Sequence, residues 1–292
     1  MLLLAPERFP DYELIDCGNF EKLERFGSVI TIRPEPQAVW DPRLTQRDWE
    51  KKAHLRFVPK SSSSGSWKKM KDAPDRWQIR YQLPESGGKK PAPLTFRLAL
   101  TAFKHVGVFP EQAVNWDYIY RSVKALNMEQ PRVLNLFAYT GGASLAARAA
   151  GADVTHLDSV RQVVSWAREN MELSQQQDIR WLVEDAMTFV RREVKRGKKY
   201  HGIILDPPAY GHGTDGQKWK LEDMINEMVQ HVRALLEEKH FLVLNTYSLG
   251  FSSIILENLL ADCPGLETGE LYLQATSGVK LPLGVFGRVV RS

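Results

Sequence analysis

The chain has 292 residues, 43% of them hydrophobic and 25% charged, with a formal net charge of +4. That length suits about two domains of ~100–200 residues each, and no run approaches the ~20 apolar residues needed to cross a bilayer. The apolar residues 1–5 are too short for a secretory leader, and the two cysteines, Cys17 and Cys263, lie far apart without CxxC spacing. A membrane span, a disulfide framework and a thiolate metal site are therefore excluded, and a cytoplasmic protein is expected. Seven histidines without HxH or HExxH spacing give no metal site either.

Residues 1–95 read as a β-rich domain, with alternating β-branched and aromatic residues at 29–33 and 77–83 and a flexible serine loop at 61–65. They hold 17 Lys/Arg against 13 Asp/Glu, leaving 22 of each for the rest of the chain. Between residues 43 and 90 the balance is 13 to 5, and Lys51, Lys52, Lys68, Lys69 and Lys71 interleave with Trp49, Trp67 and Trp77. Basic residues among aromatic rings suit a polyanion with exposed bases, whose phosphates they neutralise while the rings stack on the bases. A solvated face with the tryptophans turned inward accounts for the pattern equally well. Residues 96–130 form a connecting segment that passes through Phe109-Pro110-Glu111-Gln112 into a helix over 116–126, with Asn115 as its N-cap.

From 131 to 292 short apolar strands alternate with helices. Strands are expected at 133–137, 153–157, 179–183, 201–205 and 241–245, with helices at 142–150, through Trp166 and Asn170, and through Phe189. This alternation means an α/β domain with a mostly parallel sheet and helices on both faces. Residues 270–274 and 286–290 add two strands with no room for a helix between them, hence an antiparallel pair. The tract 191–199 reads as a solvated helix end and loop.

Open α/β sheets bind ligands beyond the carboxyl ends of their strands, and the unusual polar residues sit there. Phe137-Ala138-Tyr139-Thr140-Gly141-Gly142 follows the first strand; its glycines permit close backbone approach, and the next helix offers free N–H groups. Asp158, ending the second strand, can accept from ribose hydroxyls. Asp185, after the third strand, can accept from an adenine amino group; each such acid also suits a helix N-cap. Asp206-Pro207-Pro208-Ala209-Tyr210 closes the fourth strand with a rigid elbow. There the Asp206 carboxylate and Pro207 carbonyl can accept from an amino group, and Tyr210 offers a face for a planar ring. His212 is expected in a mobile loop, Trp219 as an anchor for that loop, and Tyr247 and Ser248 facing the same cleft.

Together NLFAYTGG (135–142), Gly151-Ala152 with Asp158, WAREN (166–170) and DPPAY (206–210) resemble class I S-adenosylmethionine (SAM)-dependent methyltransferases. More narrowly, they resemble the large-subunit ribosomal RNA methyltransferase family, from about residue 109 to the C-terminus. The resemblance implies a Rossmann-like seven-stranded sheet that closes on an antiparallel pair, a small N-terminal β-rich domain beside it, and SAM as cofactor. It implies that Gln112 lies over the methionine end of SAM, and that Phe137, Tyr139, Thr140 and Gly141 wrap its amino-acid part. Asp158 would take the ribose, Asp185 the adenine, and Asp206, Pro207 and Tyr210 the methyl acceptor, with Asp206 also bordering the cofactor.

Two departures shape the substrate. The N-terminal region is not the compact basic module of the cytosine-modifying members. Carbon-5 methylation needs a cysteine nucleophile, yet the ends of the fourth and fifth strands hold Ala209-Tyr210 and Asn245-Thr246-Tyr247-Ser248. Direct transfer to a base nitrogen of ribosomal RNA is therefore expected, with base flipping if the site is paired. Carbon-5 transfer, a small-molecule or protein acceptor, and an RNA-binding protein that has lost catalysis are the alternatives. A nicotinamide-dependent oxidoreductase lacks its GxGxxG fingerprint here.

Overall fold

The computed structural model describes residues 1–61 and 64–291. The flexible loop expected at 61–65 falls partly on residues 62 and 63, outside the described residues. The first strand, β1 (Leu2–Leu4), leaves the N-terminal region and pairs in parallel with a strand near the C-terminus, Leu2 opposite Gly269. It is followed by β2 (Tyr12–Gly18), β3 (Glu21–Phe26), β4 (Val29–Pro34), α1 (Gln46–Lys52), β5 (Leu55–Pro59) and β6 (Gly65–Lys69). Strands β2 to β6 form a five-stranded sheet.

The tryptophans of this region serve its interior. Trp49 is buried and its indole N–H donates to Asp16 Oδ2 at 3.0 Å, while Trp67 donates to Thr101 O at 2.9 Å and Trp77 to Phe26 O at 3.0 Å. An indole turned inward must satisfy its N–H, so these three rings are anchors for the fold rather than a stacking platform. Lys51, Lys52, Lys68, Lys69 and Lys71 are exposed, as a solvated basic face requires.

A hairpin of β7 (Arg76–Tyr81) and β8 (Leu94–Ala99) leads out of this region. Next, a 3-10 turn at Pro110–Gln112 runs into α2 (Ala113–Ala125). The helix thus begins before the expected Asn115 cap: proline fixes the first turn early, and Asn115 lies buried inside the helix.

The remaining elements are β9 (Arg132–Leu136), α3 (Gly142–Ala149), β10 (Asp153–Asp158), α4 (Arg161–Leu173), β11 (Ile179–Val183), α5 (Ala186–Lys195) and β12 (Tyr200–Leu205). They continue with β13 (Tyr210–His212), β14 (Lys218–Lys220), α6 (Leu221–Ala234), β15 (Leu236–Thr246), α7 (Ser253–Leu259), β16 (Glu267–Gln274) and β17 (Lys280–Arg291). Among the described residues the large sheet has eight strands in the order β1-β16-β17-β15-β12-β9-β10-β11. The five strands from β15 to β11 run parallel; β17 is antiparallel to both β15 and β16, and β1 adds one strand at the far edge.

Both faces are covered, so most side chains of the strands are apolar and buried. Val133, Val154, Ile204 and Val243 face one core with α2 and α3. Leu134, Leu136, Ile203, Leu205, Leu242 and Leu244 face the other with α5, α6 and α7. Each such side chain contributes about 1.5–3 kcal/mol by leaving water. The chain reverses direction across the sheet between β9 and β12, and a ligand cleft is expected beyond their carboxyl ends. No helix among the described residues is long and apolar enough to cross a membrane.

Candidate active site

Immediately after β9 the backbone folds back sharply. Phe137 (φ +56°) and Tyr139 (φ +48°) adopt the left-handed conformation, as does Gly141 (φ +93°). Non-glycine residues held there cost about 1–3 kcal/mol each and persist only when their surroundings enforce them. Here Tyr139 N donates to Asp158 Oδ2 at 2.9 Å, Thr140 Oγ1 to Gly107 O at 2.7 Å, and Asn170 Nδ2 to Thr140 O at 2.9 Å. Asn170 also accepts from Arg97 N at 2.8 Å, so α4 clamps β8 and the loop together. The carboxylate of Asp158 takes a second amide, Val160 N, on its other oxygen at 3.0 Å, and burial raises its pKa.

The segment at 109–112 lies over this loop, with the Phe109 and Tyr139 rings 5.2 Å apart. Gln112 is held from behind. Its Oε1 accepts from Asn115 Nδ2 at 2.7 Å, and Asn115 Oδ1 accepts from Arg288 Nη2 at 2.7 Å and Nε at 3.2 Å. Arg288, on β17, is 4% exposed. Nothing in the sequence pattern singles it out, because a lone arginine in a terminal strand reads as surface.

The Asp206 elbow lies opposite. Asn245, at the end of β15, donates to Asp206 Oδ1 at 2.9 Å. Burial pushes the Asp206 carboxyl up to about 6, and the Asn245 bond opposes that rise. Pro208 O accepts the Trp219 indole N–H at 2.7 Å, and among the described residues nothing bonds the Pro207 carbonyl. Tyr210 is 56% exposed and packs edge-on against His212, their ring centres 5.1 Å apart.

The expected mobile loop around His212 is instead an ordered hairpin. β13 and β14 pair antiparallel, and Ser159 Oγ donates to His212 O at 2.9 Å. Trp219 anchors the hairpin against Phe137, with ring centres 4.8 Å apart. Asp185 caps α5 by accepting Thr188 N at 2.7 Å. Of the 191–199 tract, Arg191 pairs with Glu227 and Arg192 with Glu184, so it is less free than a solvated end.

A cleft opens between these parts, and Gln112, Phe137, Tyr139, Thr140, Gly141 and Asp206 line it. Asp158, Asp185, Pro207 and Tyr210 stand outside that lining. Asn245 also lines it, and its Oδ1 is buried without a partner among the described residues. A buried acceptor of that kind is costly unless a donor meets it, and an ammonium or amino group is such a donor. The cleft thus fits the amino-acid end of a sulfonium cofactor. Neither cysteine lines it: Cys17 is buried in the N-terminal sheet with its thiol pushed up to about 12, and Cys263 follows α7.

Tyr247 turns away from its expected place in the cleft wall. Its hydroxyl donates to Glu35, which is also paired with Lys22 at 3.2 Å. Glu24 in the same sheet binds Arg33 at 2.7 Å and Tyr12 at 2.9 Å. This buried ionic cluster ties the N-terminal sheet to the end of β15.

Sheet order, strand-end loop and elbow together define a cofactor-dependent methyltransferase. A family model described as S-adenosylmethionine-dependent methyltransferase matches residues 85–263, and the chain belongs to that family. Its methyl donor is S-adenosylmethionine. The crystal structure of a SAM-dependent methyltransferase from Agrobacterium tumefaciens is 36% identical, with a TM-score of 0.89, covering all of this chain and 94% of that one. A ribosomal RNA large subunit methyltransferase K/L from Shewanella frigidimarina is 29% identical over 242 residues, 80% of this chain. The corresponding protein of Pseudoalteromonas atlantica is 31% identical over 137 residues, 46% of this chain. The chain spans 30% and 18% of the lengths of these two curated relatives.

Proposed function

We propose that this enzyme methylates a nitrogen of a base in ribosomal RNA. The observation that carries the proposal is the acceptor elbow: among the described residues, a carboxylate, a proline carbonyl without a partner and an exposed tyrosine ring, with no cysteine lining the cleft. The likeness to ribosomal RNA methyltransferases supports the choice of substrate.

Bound SAM supplies a methyl group on a positively charged sulfur, already activated for attack. In the proposed roles, Gln112, Phe137, Tyr139, Thr140 and Gly141 hold the amino-acid end of SAM, Asp158 its ribose and Asp185 its adenine. Asp206, ionised at neutral pH, and the Pro207 carbonyl accept from the amino group of the base and aim its lone pair at the methyl carbon. Asp206 can then take the proton released after transfer. Tyr210 stacks on the ring, a contact of about 1–3 kcal/mol per base. The exposed lysines of residues 1–95 neutralise RNA phosphates, which makes binding salt-dependent.

The test is methyl transfer from labelled SAM into RNA, protein and small-molecule fractions in parallel. Nuclease-sensitive label that disappears with Asp206→Ala is the expected result. Label confined to the protein or small-molecule fraction overturns the RNA substrate.

A further inference from the structure

The polar chain behind Gln112 has a direction. A guanidinium can only donate. The Asn115 atom 2.7 Å from Arg288 Nη2 must therefore be its oxygen, and its NH₂ is left to donate to Gln112 Oε1, also at 2.7 Å. With Oε1 occupied, the NH₂ of Gln112 is the group left for the cleft that Gln112 lines. No protein acceptor meets that NH₂ among the described residues. One buried cation thus fixes two amides that would otherwise rotate freely between orientations.

Arg288 is also an unusual cation to bury. Among the described residues no carboxylate pairs with it; the Tyr118 and Phe286 rings flank its guanidinium at 4.5 and 4.6 Å, and Asp117 and Glu267 act only from beyond ion-pair distance. An uncompensated buried charge is expensive. Aligned hydrogen bonds polarise one another, so its positive charge is projected along the chain and strengthens the last donor.

We infer that Arg288 is a positioning residue for donor recognition: through Asn115 it locks the Gln112 amide with its N–H groups toward the cleft, which selects a ligand bearing a carboxylate. The inference rests on the proposed placement of Gln112 at the amino-acid end of SAM.

The test is calorimetric binding of S-adenosylhomocysteine and of 5′-methylthioadenosine, which lacks the amino-acid tail, to the full chain. Asn115→Asp keeps an acceptor for Arg288 but cannot donate. Gln112 must then turn its NH₂ inward and its oxygen toward the ligand carboxylate. Affinity for S-adenosylhomocysteine is expected to fall about tenfold, with methylthioadenosine changed less than about twofold. Arg288→Gln, which can accept as well as donate, should narrow the preference between the two ligands about threefold or more. Equal losses for both ligands would mean a merely structural role and overturn the inference. So would an unchanged preference in both variants while Gln112→Ala loses S-adenosylhomocysteine. If Gln112→Ala also binds normally, the placement of Gln112 fails and the inference falls with it.

Discussion

The two walls of the cleft are built by different means. The wall around Gln112 and the loop after β9 is closed, made of strained backbone and amide side chains already bonded to one another. The wall around Asp206 is open. One amide holds its carboxylate, and just outside the cleft lining its proline carbonyl is unbonded among the described residues and its tyrosine is exposed on a short hairpin. A cofactor that is the same in every turnover can be met by a fixed surface. The proposed acceptor, a base carried on a large RNA, requires accessible groups, which its own ring and amino group would then complete. Damage to the closed wall should therefore appear first as lost stability and lost cofactor, and damage to the open wall as lost transfer.

The largest separation on the closed wall should come from Gly107→Ala. Gly107 sits at φ +111°, and a Cβ there would lie 2.2 Å from the Trp166 ring. Strain plus overlap predicts a loss of about 3 kcal/mol of stability, read by denaturant unfolding, together with weaker cofactor binding. An unchanged midpoint would mean that the clamp on the loop after β9 is soft.

A middle-sized effect is expected at Asn245. Removing its hydrogen bond in Asn245→Ala raises the Asp206 pKa further above about 6. In the proposed role of Asp206 transfer needs the carboxylate, so wild-type activity should fall as pH drops through about 6. In the variant that limb moves upward, lowering transfer at pH 7 about tenfold. A pH–rate profile identical to wild type would remove Asn245 from this role. Stability follows the opposite sign. A carboxyl whose folded pKa is raised stabilises the fold below its unfolded value and loses that contribution as pH rises through about 6. Asp206→Asn should therefore be more stable than wild type at pH 8, by about 1–2 kcal/mol, and equal to it near pH 4.

The smallest effect belongs to the join between the N-terminal sheet and β15. Tyr247→Phe leaves Glu35 with Lys22 but without the hydroxyl donor. A loss of about 0.5–1 kcal/mol in stability is expected, with SAM affinity unchanged. A change in cofactor affinity would show that the ionic cluster reaches the closed wall.

The elbow itself was legible in the sequence, because Asp-Pro-Pro-Ala-Tyr is contiguous and its prolines fix the geometry locally, but not that Asp206 lines the cleft while Pro207 and Tyr210 stand outside its lining. The strands of the α/β sheet were legible too, since apolar runs broken by glycine and acid mark them. Of the closed wall, Gln112 and the loop at 137–142 were legible, but the supports behind them were not. Gln112, Asn115 and Arg288 converge only because α2 packs beside β17, and 173 residues separate Asn115 from Arg288. Asn170 was visible within WAREN, but its bonds to Arg97 N and Thr140 O require the β7–β8 hairpin to dock on α4. The tryptophans of the basic stretch were ambiguous, because composition does not say which way an indole turns. Their N–H partners, all three in other strands or loops more than 30 residues away, decided it.

The most direct test of the acceptor elbow compares wild type with Asp206→Ala in two assays on the same preparations. One is SAM affinity by calorimetry; the other is labelled methyl transfer to ribosomal RNA, with the modified nucleoside identified by mass spectrometry. The expected result is a methyl group on a base nitrogen, transfer reduced about 10²–10⁴-fold in the variant, and SAM affinity within about threefold of wild type. A methyl group on carbon, normal turnover in the variant, or loss of SAM binding with the loss of transfer would contradict it.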